Sequence, residues 1–263
     1  MLKLAVLMEN TAHTPQFACE HGWSVHVQTP RHRLLFDAGQ SPAFLDNART
    51  LGIGLDKADT AVLSHGHYDH SGGLEAFLRI NHHAPVYLSR YALEPHYHGQ
   101  ERYIGVSPAL SESNRLVFVE DALTLDEELE LVSCNALPKR YPMSSAGLTR
   151  RAGDNYLPDD FRHEIYLLIH DGKRRVLLSG CSHKGILNIM DWLQPDVLIG
   201  GFHLMHEQAE QDNPWLNEVA DKLLAYPCQY YTCHCTGLAP YGYLKEIMGD
   251  RLRYLAAGQV VEI

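Results

Sequence analysis

Four side chains of types that ligate metal ions lie within six positions of one another, in the segment His65-Gly66-His67-Tyr68-Asp69-His70. Imidazole nitrogens and carboxylate oxygens are ligands that zinc and related divalent ions take, usually about four to an ion. Residues two apart in an extended segment point the same way, so His65 and His67 can hold one ion. Asp69 and His70, past a bend, can reach a second ion. The spacing therefore predicts a dinuclear metal site, in which two ions could share a water and lower its pKa.

The surroundings of this segment favour a site at the end of a buried strand over a polar surface turn. It follows a short apolar run at Thr60–Leu63, which is typical of a strand, and it precedes Gly72-Gly73. A helix is predicted directly afterwards, over Leu74–Arg79. Loops at strand ends are common positions for functional side chains, so the order strand, ligand loop and helix supports the metal-site interpretation.

Other histidines and cysteines also follow apolar runs, later in the chain. These segments are Ser179-Gly180-Cys181-Ser182-His183 after Arg175–Leu178, Gly200-Gly201-Phe202-His203-Leu204 after Val197–Ile199, and Cys233-His234-Cys235-Thr236-Gly237 after Gln229–Thr232. The spacing Cys-x-Cys without a second pair does not fit a zinc finger. No Gly-x-Ser-x-Gly motif or phosphate-binding P-loop is present. Metal-dependent chemistry is therefore the interpretation that the motifs favour.

The segment from His65 to Gly73 resembles the HxHxDH signature of the metallo-β-lactamase superfamily, and Asp37-Ala38-Gly39 resembles that superfamily's Asp-x-Gly station. The three later segments resemble the subgroup of 7,8-dihydropterin-6-yl-methyl-4-(β-D-ribofuranosyl)aminobenzene 5′-phosphate synthase-like proteins. The resemblance spans the whole chain. It implies an α/β (α+β) fold, an αββα sandwich of two mixed sheets with helices outside and two metal ions between the sheets. One domain over residues 1–263 is expected.

The resemblance also implies that Asp69 orients, or takes the proton of, the water shared by the ions. It further implies a ligand set beyond the first motif. His234 matches the late histidine of the second metal ion. The third histidine of the first ion is expected to be His183, although His163 stands where many superfamily members place that ligand. Cys181 occupies the place of the usual bridging aspartate, and its thiol is either a ligand or an inert core group. Asp37 is expected to support the metal loop, by ligation or by hydrogen bonds to the ligands.

Two further residues are expected to bind substrate. His203 ends a strand that should point at the site, and Lys184 follows His183 directly. Both could hold an anionic group of a substrate. The remaining histidines in the first half of the chain are expected to face solvent or the rim of the pocket; these are His82, His83, His96 and His98.

Composition limits the partners that the protein can have. The chain of 263 residues carries a formal net charge of −10, which opposes general attraction to nucleic acid or to anionic membranes. No apolar stretch reaches the roughly 18–20 residues that a membrane span needs. Nothing marks the six cysteines as disulfide-forming, so they are expected to be free thiols in the cytoplasm.

The remaining strands and helices are predicted from short runs of residues that favour strands, from turn residues and from the periodic spacing of apolar residues. Strands are expected at Lys3–Met8, Trp23–Gln28, Arg33–Phe36, Pro85–Ser89, Ile165–His170 and Gln259–Ile263, and helices from Ser41 to about Leu51, over Gly185–Leu193, over Pro214–Ala225 with Asn213 as cap, and near the end of the chain. The segments Tyr91–Ser113 and Pro138–Asp160 lack a clear period. They are expected to be irregular and to cover the site.

Together these features predict a dinuclear metal-dependent hydrolase that acts on a small anionic or phosphorylated ester through a metal-activated hydroxide. Zinc is the expected metal, with manganese or iron as alternatives. Two other functions stay open: a pterin-type condensing synthase that displaces pyrophosphate, and a non-hydrolytic iron redox enzyme of the same fold. The expected partner is a small-molecule substrate, and a homodimer is left open.

Overall fold

The computed structural model describes residues 2–209 and 212–263. Within them the strands are β1 (Lys3–Met8), β2 (Ser24–Gln28), β3 (Arg33–Phe36), β4 (Thr60–Val62), β5 (Val86–Ser89), β6 (His96–His98), β7 (Arg102–Tyr103), β8 (Leu116–Val119), β9 (Ala122–Thr124), β10 (Leu129–Val132), β11 (Leu148–Ala152), β12 (Asn155–Pro158), β13 (Tyr166–Asp171), β14 (Arg174–Leu178), β15 (Val197–Ile199), β16 (Gln229–Thr232), β17 (Leu252–Tyr254) and β18 (Val260–Glu262). The α-helices of the same ranges are α1 (Phe44–Thr50), α2 (Tyr68–Ser71), α3 (Leu74–Ile80), α4 (Ile186–Leu193), α5 (Pro214–Leu224) and α6 (Leu238–Met248).

Two seven-stranded mixed sheets form the centre of the described structure. The first has the order β18-β1-β2-β3-β4-β5-β8 and the second the order β17-β16-β15-β14-β13-β10-β9. Neighbouring strands are parallel from β3 to β8 in the first sheet and from β14 to β17 in the second. The carboxyl ends of these parallel strands therefore lie on one edge of each sheet, where connecting loops can gather functional groups.

Alternate side chains along the strands explain why both faces of each sheet are covered. In β3, Leu34 and Phe36 pack between the two sheets, while Leu35 packs outward against the helices. Successive strand residues point to opposite faces, so a run of apolar residues buries both. Helices α1 and α3 cover the first sheet, and α4, α5 and α6 cover the second. The four layers confirm the expected αββα sandwich of mixed sheets.

The helix predictions are confirmed apart from their ends. The first helix begins at Phe44, because Ser41 and Pro42 belong to the turn before it. Helix α5 begins after Asn213 as expected, since the Oδ1 atom of Asn213 accepts hydrogen bonds from the backbone N–H groups of Trp215 and Leu216. Among the described residues, no helix has both the length and the apolar content that crossing a bilayer requires.

The two segments expected to be irregular instead contribute a third sheet. Strands β6 and β7 come from the first segment and β11 and β12 from the second, in the order β12-β11-β6-β7. We call this the covering sheet. Leu148 pairs with His98 across a long stretch of sequence, and the ring of Tyr97 packs against those of Tyr103 and Tyr156. Strands this short, held by distant partners, leave little local pattern, so the expectation of irregular structure was wrong here.

Candidate metal centre

The candidate site lies where strands of both large sheets end. Asp37 follows β3 directly and His65 follows β4, while Cys181, His203 and His234 come just after β14, β15 and β16. The structure thus brings together the segments that the sequence placed at strand ends. Non-glycine residues with positive φ border the site, namely Asp37 (57°), Ser182 (58°), His203 (53°) and His234 (46°). Such backbone conformations cost about 1–3 kcal/mol each and persist where surrounding contacts hold them, often at functional sites.

The first group of candidate ligands consists of His65, His67 and His183. Their ring centroids lie 4.6 Å apart for His65 and His67 and 4.9 Å from each of these to His183. The Nε2 atoms of all three, and also Nδ1 of His183, are buried without a hydrogen-bond partner among the described residues. Buried polar atoms nearly always have a partner, so these nitrogens need one that the chain does not supply. A cation between them would meet that need.

Asp37 fixes which ring nitrogens face the site. Its carboxylate accepts hydrogen bonds from the N–H and the hydroxyl of Ser64, both at 2.7 Å, and from Nδ1–H of His70 at 2.7 Å. Because the Ser64 hydroxyl donates to Asp37, its oxygen is free to accept from Nδ1–H of His65, at 2.9 Å. Both imidazoles therefore carry their proton on Nδ1 and turn the Nε2 lone pair toward the site. These hydrogen bonds place Asp37 beside the candidate ligands, and its role in supporting a bound metal stays a prediction.

The second group contains Asp69, His70, Cys181 and His234. The Nε2 atom of His70 lies 3.2 Å from Sγ of Cys181 and 3.3 Å from Nε2 of His234, which in turn lies 3.3 Å from Oδ2 of Asp69. Ligand atoms on a tetrahedral zinc ion stand roughly 3.3 Å apart when each bond is about 2.0–2.1 Å long. Two imidazole nitrogens at this distance need a proton or a cation between their lone pairs. The donor set therefore fits a second divalent ion beside the first.

His234 is held by two residues that follow strand β1 of the first sheet. Nδ1 of His234 lies 2.8 Å from Oδ1 of Asn10, and the backbone N–H of His234 donates to Oε1 of Glu9 at 2.6 Å. Glu9 is completely buried and also accepts a hydrogen bond from the hydroxyl of Tyr254 at 2.7 Å. Because the amide oxygen of Asn10 accepts a hydrogen bond from Nδ1, the proton of the His234 ring is on Nδ1. The lone pair of Nε2 is therefore free to bind a metal ion.

The ionisation of the site follows from burial and from neighbouring charges. Burial holds the pKa values of His65, His67 and His183 well below the ordinary range, so these rings are neutral and can act as ligands. Burial of the Asp69 carboxyl favours its neutral form, but the adjacent histidines outweigh it and hold the pKa of Asp69 well below its usual range. Burial also raises the pKa of the Cys181 thiol well above its usual range. Cys181 would thus become a thiolate only with a cation beside it.

His183 and His163 occupy different environments. The difference indicates which of them could be the third ligand of an ion bound by His65 and His67. Nδ1 of His163 accepts a hydrogen bond from the N–H of Gly66 at 2.9 Å, and its Nε2 lies 3.2 Å from Oδ2 of Asp159. Both nitrogens of His163 therefore have protein partners, whereas those of His183 have none among the described residues. The structure places His183, and not His163, with its free nitrogens against His65 and His67.

The turn that carries His183 buries Lys184 away from the site. The carboxylate of Glu164 accepts hydrogen bonds from the backbone N–H groups of His183 at 2.7 Å and Lys184 at 3.1 Å. The ammonium group of Lys184 donates to the carbonyl oxygens of Ser133 at 2.6 Å and Glu164 at 2.8 Å. Burial lowers its pKa to about 8. Lys184 is only 1% exposed and does not line the cavity, so its position contradicts the substrate-binding role expected from the sequence.

A cavity of about 430 Å³ opens onto both groups of ligands. His203 lines it, as the sequence suggested, and its ring lies 4.3 Å from that of His183. The covering sheet and the segments around it contribute other lining residues, namely His98, Arg102, Ile104, Ala146 and Leu148. His98 is thus a pocket-rim residue, and His82 and His83 are exposed, as expected. His96 is instead fully buried, so its expected surface position was wrong.

Some residues of the site were not anticipated. His21 places Nε2 at 3.2 Å from Oδ2 of Asp69, and no motif surrounds it in the sequence. Glu9 and Asn10 support His234, and their position directly after β1 is the same strand-end signal that identified Asp37. That signal could have found them. Glu164 carries no comparable signal, because its partners become neighbours only when the turn at Ser182 forms.

Replacing Asp37 by asparagine should weaken metal binding while leaving the ligand side chains in place. The introduced amide would present an N–H toward Ser64 or His70, whose own protons point at this position. We expect the dissociation constant of the bound ions to rise about 10–100-fold. Competition with a chromophoric chelator measures it, and Asp46→Asn on the exposed surface of α1 is the matched control. Equal affinity in Asp37→Asn and in the control would contradict the assigned role.

Replacing Lys184 by methionine should lower stability rather than substrate affinity. Two buried carbonyl oxygens would lose their donor, which costs about 1–3 kcal/mol for an unsatisfied group. We expect denaturant titration to show a loss of that size in the free energy of unfolding, with KM unchanged. Lys173→Met, at the exposed turn between β13 and β14, should change neither quantity. A raised KM for an anionic substrate without loss of stability would restore the role expected from the sequence.

Comparison with known proteins agrees with this geometry. The family model of the metallo-β-lactamase superfamily matches residues 18–137. An uncharacterised protein of Methanocaldococcus jannaschii is 26% identical, over 99% of this chain and 100% of its own length. From the same organism, 7,8-dihydropterin-6-methyl-4-(β-D-ribofuranosyl)-aminobenzene-5′-phosphate synthase is 24% identical, over 99% of this chain and 96% of its own. A crystal structure of a metal-dependent hydrolase of the β-lactamase superfamily is 28% identical with a TM-score of 0.85, covering 100% of this chain and 99% of that one. The chain has the metallo-β-lactamase fold, and its similarity to that superfamily extends over residues 18–137 in sequence and over the whole chain in structure.

Proposed function

We propose that the protein is a dinuclear metal-dependent hydrolase that acts on a small anionic ester. The observation that carries the proposal is the pair of adjacent donor groups beside one cavity, the first of which contains four buried imidazole nitrogens without a partner among the described residues. The fold implies divalent metal binding, and members of this superfamily are usually metal-dependent hydrolases. The solved relative that is 28% identical is itself described as a metal-dependent hydrolase.

The proposed ligands divide between two ions. His65, His67 and His183 would hold the first ion. The second would be held by Asp69, His70 and His234, with Cys181 within 3.2 Å of Nε2 of His70. Zinc is the proposed metal, because imidazole and thiolate donors in a near-tetrahedral arrangement suit it better than magnesium or calcium. Divalent ions bound there would supply Lewis acidity, lowering the pKa of a water and polarising the substrate oxygen.

The residues around the ligands would orient the reactants. Oδ2 of Asp69 faces the cavity within 3.2 Å of Nε2 of His21 and 3.3 Å of Nε2 of His234. From this position it would accept the proton of the attacking water. His21 is partly exposed at the cavity wall and would keep the Asp69 carboxylate in place by its hydrogen bond. The proposed catalytic role of Asp69 rests on its contact with His234 in the second donor group and on its place in the lining of the cavity.

The lining of the cavity supports an anionic substrate. Arg102 supplies the one guanidinium or ammonium group among the described lining residues, and its Nη2 donates to the hydroxyl of Tyr68 at 3.0 Å. His203 and His206 add further hydrogen-bonding groups to the lining, while Ile104 and Leu148 add apolar side chains. A carboxylate or phosphate next to Arg102 and a compact apolar body against the wall would match this lining.

The second candidate function is the condensation suggested by one relative. The synthase of Methanocaldococcus jannaschii is similar over 99% of this chain, and its name specifies an aminobenzene ribofuranosyl phosphate product. The same cavity would then hold two substrates, and pyrophosphate would leave. Mass spectrometry of a mixture of a dihydropterin pyrophosphate ester and a ribofuranosylaminobenzene phosphate distinguishes the two functions. A joined product supports the synthase, whereas simple hydrolysis of the pyrophosphate ester supports the hydrolase.

Metal analysis with one ligand variant tests the main proposal. We expect two zinc ions per chain and turnover on a panel of phosphodiesters, phosphomonoesters, lactones and thioesters. His67→Ala should bind one ion fewer and lose at least about 100-fold in turnover, because a direct ligand matters no less than its supporting groups. The exposed His82→Ala variant serves as the control. Full turnover in His67→Ala, or no bound metal in the purified protein, would overturn the proposal.

Arg102→Gln tests the proposed substrate class. A charge-assisted hydrogen bond to a partly exposed guanidinium should contribute modestly, so we expect KM for an anionic ester to rise about 10-fold. KM for a neutral ester of the same shape should stay unchanged, as should kcat for both. Arg90→Gln, which removes an exposed arginine paired with Glu120, is the matched control. An equal change for the neutral and the anionic ester would argue against recognition of charge by Arg102.

A further inference from the structure

A second cluster of buried titratable side chains lies beside the candidate metal centre. It consists of His96 in β6, Asp159 just after β12 and His163 before β13, and each is at most 2% exposed. The ring centroids of His96 and His163 are 4.0 Å apart, and that of His67 lies 5.2 Å from His163. Three titratable groups with almost no exposure to water must find their hydrogen-bond partners within the protein.

The direction of the hydrogen bond between His163 and Asp159 follows from a backbone N–H group, whose proton has a fixed position. The backbone N–H of Gly66 donates to Nδ1 of His163, so the proton of this imidazole is on Nε2 and points at Oδ2 of Asp159, 3.2 Å away. Nδ1 of His96 lies 2.9 Å from the same oxygen. The other carboxylate oxygen of Asp159 accepts from the N–H of Phe161 at 2.8 Å. One carboxylate thus joins both imidazoles and the turn before β13.

The cluster does not suit a third metal ion, although its atoms are close enough. Ligand atoms of His67, His96, Asp159 and His163 lie within 4.8 Å of one another. A cation on Nε2 of His163 would require the proton on Nδ1, where it would meet the N–H of Gly66. Burial and the charge of Asp159 instead favour the arrangement of hydrogen bonds that the structure has. The cluster is therefore a supporting network.

We propose that His163, Asp159 and His96 form a His–Asp–His bridge that fixes the His65–His67 loop and fastens the covering sheet to it. His163 stands at the position where the family resemblance offered a third ligand, but it acts here as a positioning residue. Asp159 directly follows strand β12 of the covering sheet, and His96 lies in strand β6 of the same sheet. The proposal rests on the proposed metal site for its effect on function.

The His65–His67 loop cannot move far unless this bridge also changes. A Cβ atom on Gly66 would lie 2.3 Å from the carbonyl oxygen of Ala92, so the loop already touches the chain that leads into β6. The covering sheet carries Arg102 and Leu148 of the cavity wall. The bridge therefore sets the distance between the ligands and the wall that would hold the substrate. Its loss should alter metal affinity and KM together.

Asp159→Asn tests the bridge through metal affinity. We expect the zinc dissociation constant to rise about 10–100-fold, with two ions still bound at saturation, and KM for an anionic ester to rise as well. The visible absorption spectrum of the cobalt-substituted protein should shift, since the geometry of His67 changes. Asp154→Asn is the control, because this carboxylate lies on the same covering sheet and is fully exposed. Unchanged affinity and an unchanged spectrum would overturn the proposal.

Two variants of His163 separate a positioning residue from a ligand. His163→Asn keeps an acceptor near the N–H of Gly66, and His163→Leu does not. In the full chain saturated with zinc, hydrogen exchange of the Gly66 amide should accelerate in His163→Leu and stay close to wild type in His163→Asn. Both variants should bind two ions at saturation. One ion fewer in both, or unchanged exchange in His163→Leu, would overturn the proposal. The exchange measurement needs no turnover, so its outcome is independent of whether the protein is a hydrolase.

Discussion

The hydrogen bonds to the Asp37 carboxylate are the interaction on which the rest of the site depends. They hold the protons of Ser64 and His70 and, through the serine hydroxyl, that of His65. If the proton of either imidazole moved to Nε2, the ring would present an N–H to the ions and repel them. The positive φ of Asp37 and its complete burial show that the fold maintains a costly conformation there. One residue thereby orients a candidate ligand for each of the two ions that we propose.

The second constraint is that two separate sheets must present their strand ends to a common point. Direct hydrogen bonds join them there: the N–H of Ile165 donates to the carbonyl oxygen of Ser64 at 2.7 Å, and the N–H of His234 donates to Glu9 at 2.6 Å. The apolar layer between the sheets sets their separation, and these bonds set the register of the ends. Bound ions would link the same elements, so metal binding and folding should stabilise each other.

The sequence was most informative where the determinants are local. The candidate ligands of the His65–His70 segment are neighbours in the chain, so their spacing alone predicted a metal-binding loop. Contacts between distant segments were harder to foresee. Lys184 follows a candidate ligand directly, but the left-handed backbone of Ser182 and the hydrogen bonds to Glu164 turn its ammonium group into the interior. His96 was expected near the surface because nothing local indicates the pairing of β6 with β11 that helps to bury it.

The charges around the site explain how an acidic protein could bind the anionic substrate that we propose. Buried carboxyl groups surround the imidazoles, namely those of Glu9, Asp37, Asp69, Asp159 and Glu164. Lys184, the one buried ammonium group among the described residues, is turned away from the cavity. This arrangement attracts divalent cations, and their charge would then reverse the local sign at the floor of the cavity. Arg102 at the wall extends the positive region outward. The covering sheet carries Arg102 and is joined to the His65–His67 loop through Asp159. A displacement of the group that would recognise the substrate would therefore also displace the side chains that would hold the ions.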